Sequence, residues 1–297
     1  MKQSQAKKRD NAMTNKILMG LIALVLGLLF LEILIVHSKN EQQKNVSNQV
    51  QTARIMANGD LLYHDGLYMS ALQADGSYDF TENFTYVKPW LKQADLVLGD
   101  FEGTINPDYP LSGYPLFNAP QSVTAAIKDA GYDVMDLAHN HILDSGLEGA
   151  FTTADAFKKV GIDPVGVYEK PVRDKAPLLI KNVNGIKVAI LSYAYGYNGL
   201  ESNLTDKEVT DHLSNLDEKR MKAEIQRAEK EADITVIMPQ MGVEYRLEPT
   251  DEQVKLYHKM IDWGADIIFG GHPHVVEPSE VVRSEERRVG KECASMC

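Results

Sequence analysis

Five apolar runs in this chain each stop on residues of the kind that bind metals, and no other feature constrains the fold as tightly. The run at 53–57 ends on Asn58-Gly59-Asp60, and the run at 96–98 ends on Gly99-Asp100-Phe101-Glu102-Gly103. A third, at 134–138, meets His139-Asn140-His141, and a fourth, at 234–238, is followed by Gln240-Met241-Gly242-Val243-Glu244. The last, Ile267-Ile268-Phe269, stops on Gly270-Gly271-His272-Pro273-His274. On extended backbone, residues two apart project from the same face, so His272 and His274 are expected to meet at one point. The glycines before them permit a sharp turn and a close approach.

Helical patterns separate the runs, at 121–130, 147–160, 217–231 and 250–263, the last opened by Thr250 and capped by Gly264. A further strand at 186–192 follows the turn signal Asn184-Gly185. Strands alternating with helices predict an α/β domain with a substantial parallel sheet. Because the strands are continuously apolar rather than alternating, their sheets should be covered on both faces.

In such sheets, sites assemble at the carboxyl ends of strands. Carboxylate, amide oxygen and imidazole together suit a pair of first-row ions such as Mn, Fe or Zn better than a thiolate-bound structural zinc. Taken singly, Asp60, Asp100 and Asn140 also read as turn formers, His141 as the neighbour of a helix cap, and the two C-terminal histidines as a solvated turn. Recurrence at five strand ends favours the metal site.

The two ends of the chain stand apart from this pattern. Residues 17–36 are apolar except for Glu32 and follow Lys2, Lys7, Lys8, Arg9 and Lys16. That length and charge bias predict an uncleaved signal anchor, with 1–16 cytoplasmic and everything beyond 36 outside the cell. A cleaved signal peptide is the alternative, but the run is long for one and no A-x-A-like site follows. Residues 37–52 read as a polar linker and 53–282 as the folded domain. The tail 283–297 continues no pattern and holds both cysteines, Cys293 and Cys297. Residues 283–293 can be back-translated into a stretch that resembles a sequencing-adapter oligonucleotide, so the natural protein is expected to continue past Val282 and the tail to be foreign. Without the tail there is no cysteine and hence no disulfide framework. Of the 297 residues, 44% are apolar, ample for a core, and the net charge is −11. Since both ends lean basic, the domain between them is strongly acidic, which excludes nucleic acid as a natural partner.

The motifs GDLLYHDG (59–66), GDFEG (99–103), LAHNHILDSG (137–146), MGVEY (241–245) and GGHPHVVEP (270–278) resemble, in order, those of the bacterial CapA family. That family is linked to poly-γ-glutamate capsules and belongs to the calcineurin-like metallophosphoesterases. The resemblance implies a sandwich of two mixed sheets flanked by helices, with a centre of two divalent ions at the strand ends. Carried over by position, Asp60 would bind one ion, Glu102 would bridge two, Asn140 would bind the second, and His272 and His274 would complete the site. His141 would be a general acid or transition-state donor, and Asp144 and Gly146 would fix its turn. His64 is a candidate further ligand, although the superfamily's D-x-H pattern is not met, and Asp100 lies in the same strand-end set. Many relatives have a histidine before Gly-x-Glu-Tyr, where this chain has Gln240; Glu244 is a candidate compensating ligand. Relatives also continue beyond the histidine pair, so the domain is expected to lack its last part. The implied function is that of a membrane-anchored extracellular protein in assembly or export of a capsule polymer. Its implied partners are the cell membrane, membrane subunits of a capsule synthase and the polymer. A non-catalytic scaffold on the same fold is the alternative.

Overall fold

The run Leu96-Val97-Leu98 lies at the heart of a parallel sheet, in a strand buried along its whole length, β2 (Leu96–Asp100). Its alternate residues serve two cores. Leu96 and Leu98 face a second sheet, while Val97 faces helices, which is why the run is apolar without alternation. In this computed structural model, residues 31–37, 50–170 and 176–282 are described. The chain divides into two compact units, 1–50 and 51–297. In the first unit, 31–37 are helical, and the rest of the expected anchor at 17–36 lies outside the described residues, as do 38–49 of the expected linker and the tail from 283. Among the described residues, no helix is long and apolar enough to cross a membrane.

The second unit carries two four-stranded sheets. One has the order β1 (Ile55–Asp60), β2, β3 (Val134–Asp136), β4 (Asp163–Val165), every pairing parallel. The other has the order β5 (Leu179–Val183), β6 (Ile186–Ala194), β7 (Ile234–Gln240), β8 (Ile267–Ile268). There β5 and β6 are antiparallel and the remaining pairs parallel. Only this second sheet is mixed, so the expectation of two mixed sheets is met in one. The β5–β6 hairpin turns through Asn184 and Gly185, both with positive φ (54° and 91°), as the Asn-Gly signal predicts.

Three apolar clusters give the layering. Leu96, Leu98 and Val134 of the first sheet pack on Val188, Ile190, Val236 and Met238 of the second. The opposite face of the first sheet, with Val97 and Met135, is covered by α3 (Ser122–Ala130) and α4 (Gly146–Lys159). The shorter α1 (Asp65–Ala71) and α2 (Lys88–Leu91) join that side through Tyr68 and Leu91. Beyond α5 (Asp206–His212), the outer face of the second sheet, with Leu191 and Ile237, is covered by α6 (Glu218–Glu231) and α7 (Asp251–Trp263). Helix ends follow sequence rules. The Asp217 side chain accepts from the Arg220 N–H, Thr250 and Gln253 form a reciprocal cap, and Gly264 ends α7 with φ 124°. Helices, sheet, sheet, helices: the sandwich leaves its parallel strands ending on one edge, and the polar residues gather there.

Candidate metal centre

Parallel register sets the acidic strand ends side by side. Asp60 pairs with Asp100 across β1 and β2, and Asp100 with Asp136 across β2 and β3. The chain beyond β8 then closes over them. Gly271 bridges to Gln240 at the end of β7, and a Cβ on it would lie 3.0 Å from Asp100 Oδ2 and 3.1 Å from Asp60 Oδ1. Any larger residue would press on the carboxylates, which would have to give by a few tenths of an ångström. The next residues correct one expectation. His272 and His274 are not on extended backbone; both have positive φ (92° and 58°). Such conformations cost about 1–3 kcal/mol each and persist only where surrounding structure fixes them. Here the fixing contacts are visible: the His272 N–H donates to Asp60 Oδ1 at 3.3 Å, and His274 Nδ1 lies 2.7 Å from Asp60 Oδ2. The two imidazoles still converge, with ring centroids 6.1 Å apart.

One ligand atom from each of Asp60, Glu102 and His274 lies within 4.8 Å of the others. Glu102 is only 1% exposed, yet neither of its carboxylate oxygens accepts a hydrogen bond. An ionised carboxylate so placed is costly unless a proton or a cation neutralises it. Burial, reinforced by the neighbouring Asp60 charge, pushes Glu102 up to about 9. Asp100 is raised well above the usual carboxylate range by burial and by Asp136 and Asp60. Burial would raise Asp60 as well, but the hydrogen bond and charge of His274 outweigh it and hold Asp60 low. The same hydrogen bond raises His274, while burial lowers His272. Oxygen and nitrogen donors converge on a buried carboxylate that accepts no hydrogen bond, and this donor set fits a divalent cation.

His141 stands at the edge of this cluster. Its Nδ1 lies 2.7 Å from Asp144 Oδ2, and its Nε2 points to Glu102 Oε1 at 3.9 Å. Asp144 therefore holds the imidazole with Nε2 turned into the site. Phe117 packs edge-on against His141 with centroids 4.7 Å apart. Behind the cluster, Asn140 is bonded on three sides. Its N–H donates to Gln240 Oε1 at 2.9 Å, its Oδ1 accepts from Gln240 Nε2 at 3.0 Å, and its Nδ2 donates to Asn198 Oδ1 at 3.3 Å.

This arrangement of strand-end acids and histidines invites comparison with known proteins. The family described as bacterial capsule synthesis protein PGA_cap matches residues 54–289. The chain belongs to that family. The resemblance read from five motifs is thereby borne out. Among PGA_cap-like relatives, the capsule biosynthesis protein CapA of Bacillus anthracis is 33% identical over 209 residues, covering 67% of this chain and 50% of that protein. The PGA biosynthesis protein CapA of Bacillus subtilis (strain 168) is 30% identical over 277 residues, covering 92% of this chain and 70% of that protein. The chain thus spans half the length of the first relative and more of the second. Among solved structures, a candidate 5′-nucleotidase of Staphylococcus aureus, in complex with alpha-ketoglutarate, superposes with a TM-score of 0.51 at 16% identity. It covers 82% of this chain and 48% of its own. That likeness shows a shared α/β fold.

Within this PGA_cap domain, the structure brings together Asp60, Asp100, Glu102, His141, His272 and His274, with Asn140 and Gln240 just behind. His64 stays outside the ligand cluster, exposed, with its ring edge-on to Phe117 at 4.8 Å between centroids. Glu244 is exposed too, and acts on Glu102 and His272 only through its charge. Sequence reasoning gave no role to Asp136, which accepts from the Ser192 hydroxyl across the two sheets and from the Ala138 N–H at 2.7 Å. Burial takes Asp136 up to about 8 against those bonds. His139, at the same strand end, is not among the expected ligands. It is wholly buried with neither ring nitrogen bonded, and burial, with His141 nearby, pushes it down to about 3, so it is a neutral wall. The H-x-x-D spacing of His141 and Asp144 was the one available signal for their pairing.

Proposed function

We propose that this chain is a membrane-anchored, extracellular, metal-dependent hydrolase or transferase acting in poly-γ-glutamate capsule biosynthesis. Membership of the PGA_cap family and the names of the Bacillus relatives support the capsule role. The single observation that carries the chemistry is Glu102, buried, unbonded and within ligand reach of Asp60 and His274. Asp60, Glu102 and His274 would hold a divalent ion of the Mn, Fe or Zn kind. When bound, such an ion lowers the pKa of water and polarises a phosphoryl or carbonyl oxygen. His141, its Nδ1 committed to Asp144, presents Nε2 to the reacting group and either takes or gives the proton there. Gly271 leaves the space beside the carboxylates free of a side chain, and the exposed Tyr195 has its ring 4.7 Å from that of His272 on one side. The substrate on this reading is an amide or phosphoester of the growing surface polymer. Membrane subunits of the synthase would be its neighbours, with the anchor at 17–36 holding the domain to the membrane.

A second reading is a non-catalytic, polymer-handling subunit, and the observation favouring it is the amide of Gln240 clasping Asn140. One experiment separates the two. The full chain is purified, its metal is measured, and turnover of γ-glutamyl polymer and of phosphoesters is compared with that of His141→Ala. Bound metal with turnover that the variant loses supports the enzyme; metal-free protein without turnover leaves the scaffold.

A further inference from the structure

The following inference rests on the metal-site reading above and narrows it. We propose that the centre takes a single divalent cation, held by Asp60, Glu102 and His274, because Gln240 engages the Asn140 oxygen that a second cation would need. The clasp is unambiguous in its chemistry. The backbone N–H of Asn140 can only donate, so the Gln240 atom 2.9 Å from it is Oε1. The other Gln240 terminal atom is then Nε2, and the Asn140 atom 3.0 Å away must be an acceptor, Oδ1. That leaves Asn140 Nδ2 facing Asn198 Oδ1 at 3.3 Å. Every group in the chain of bonds is paired in the only sense that works, so neither amide is free to flip.

The clasp has a consequence for cations. Asn140 and Gln240 are 2% and 1% exposed, so water does not screen them. The oxygen that Asn140 would offer a second ion already accepts from Gln240 Nε2 on one of its two lone pairs. Rotating Gln240 away would free the oxygen but would leave the buried Asn140 N–H without a partner. His272 Nδ1 and Asp100 Oδ1 remain, both buried and unbonded, but neither is among the ligand atoms that converge. Among the described residues, the set of acidic and imidazole groups whose ligand atoms converge is Asp60, Glu102 and His274. Two carboxylates and one imidazole are a complete protein share for one ion and an inadequate one for two.

The test uses the full chain loaded with excess Mn2+ and freed of loosely held ion. Metal per chain is counted by mass spectrometry, and the electron paramagnetic resonance spectrum distinguishes an isolated ion from an exchange-coupled pair. The expected result is one ion per chain with an uncoupled spectrum. Gln240→His removes the clasping amide and adds an imidazole, and it is expected to bind a second ion and to show coupling. Two coupled ions in the unaltered chain overturn this inference while leaving the metal-site reading intact. No ion in folded, unaltered chain overturns that reading and this inference with it. A folded Gln240→His chain that still holds a single ion overturns the role given to Gln240. If the variant does not fold by circular dichroism, the count and spectrum of the unaltered chain decide alone.

Discussion

Asp144 Oδ2 holds two groups at once: His141 Nδ1 at 2.7 Å and the backbone N–H of Phe117 at 2.6 Å. The second bond pins the carboxylate from the loop that also supplies the ring packed on His141. Asp144 is therefore a positioning residue, and its removal should misdirect the imidazole without touching the ligands. We expect His141→Ala to lower kcat by about 10²–10⁴-fold, the usual worth of a positioned acid or base. Asp144→Asn should lower kcat by a smaller factor, with KM and bound metal nearly unchanged. Steady-state kinetics with parallel metal analysis check both; a fall in metal content matching the fall in kcat would contradict the assignment.

The pH dependence of the metal-free protein follows from the same cluster. Burial raises Glu102 to about 9 and Asp136 to about 8, far above their unfolded values of 4.5 and 3.8. Between those limits the folded state keeps protons that the unfolded state has released, so stability falls as pH rises. His274, raised by its bond to Asp60, works in the same direction. Its charged pair is fully present below the unfolded value of 6.5 and is lost as pH climbs through the raised one. Thermal melts in chelator should therefore show Tm falling from about pH 5 to about pH 9. Added Mn2+ should raise Tm most at the alkaline end, because ligands bind the cation deprotonated. Glu102→Gln should flatten the profile and abolish the response to metal. In a domain this size, each ~1 kcal/mol is worth ~2–4 °C. A metal-free Tm that climbs with pH would refute the argument.

What the sequence reveals and what it withholds divide along physical lines. Strand ends such as Asp60 and Asp100 are legible because the strand residues packed between the sheets are apolar up to the last positions. The Asn184-Gly185 hairpin, the Thr250 cap and the Gly264 stop are legible because each needs only local chemistry. Strand β5 is not, since its residues are largely half-buried and include Lys181 and Asn182. The clasp of Gln240 on Asn140 spans 100 residues, and no periodicity reports a contact of that reach. His272 and His274 were legible as a pair but not in their backbone. Positive φ at two histidines is imposed by the Asp60 contacts, against local preference.

The hydrogen bond from the Ser192 hydroxyl to Asp136 joins the two sheets in the interior. Both residues are about 2% exposed, so the carboxyl has no water to replace a lost donor. Ser192→Ala should destabilise the fold by about 1–3 kcal/mol, the range for leaving a buried polar group short of a partner. It should also raise Asp136 further, because that hydroxyl, ahead of the Ala138 and Leu137 N–H groups, is the largest of the bonds that oppose the rise caused by burial. Denaturant unfolding at two pH values checks both parts: the loss should be greater at the alkaline value. An equal loss at both would mean that the hydroxyl contributes packing rather than charge stabilisation.

Gly271 lies between Asp100 and Asp60, and no side chain can be placed there without moving one of them. Its φ is not in the left-handed region, so alanine brings no backbone strain and the effect is one of contact alone. Added methyl and carboxylate oxygen would meet at 3.0–3.1 Å, and the carboxylates must yield by a few tenths of an ångström. Asp60 cannot shift far without stretching its bonds to His274 and to the His272 N–H. We therefore expect Gly271→Ala to weaken metal binding by about 10–100-fold, the scale seen when the support of a ligand is disturbed. Stability without metal should change little, since relief of crowding among the acids offsets part of the new contact. Calorimetric titration with Mn2+ and melts in chelator measure the two quantities separately. Unchanged affinity in a folded variant would show that Asp60 does not hold the ion.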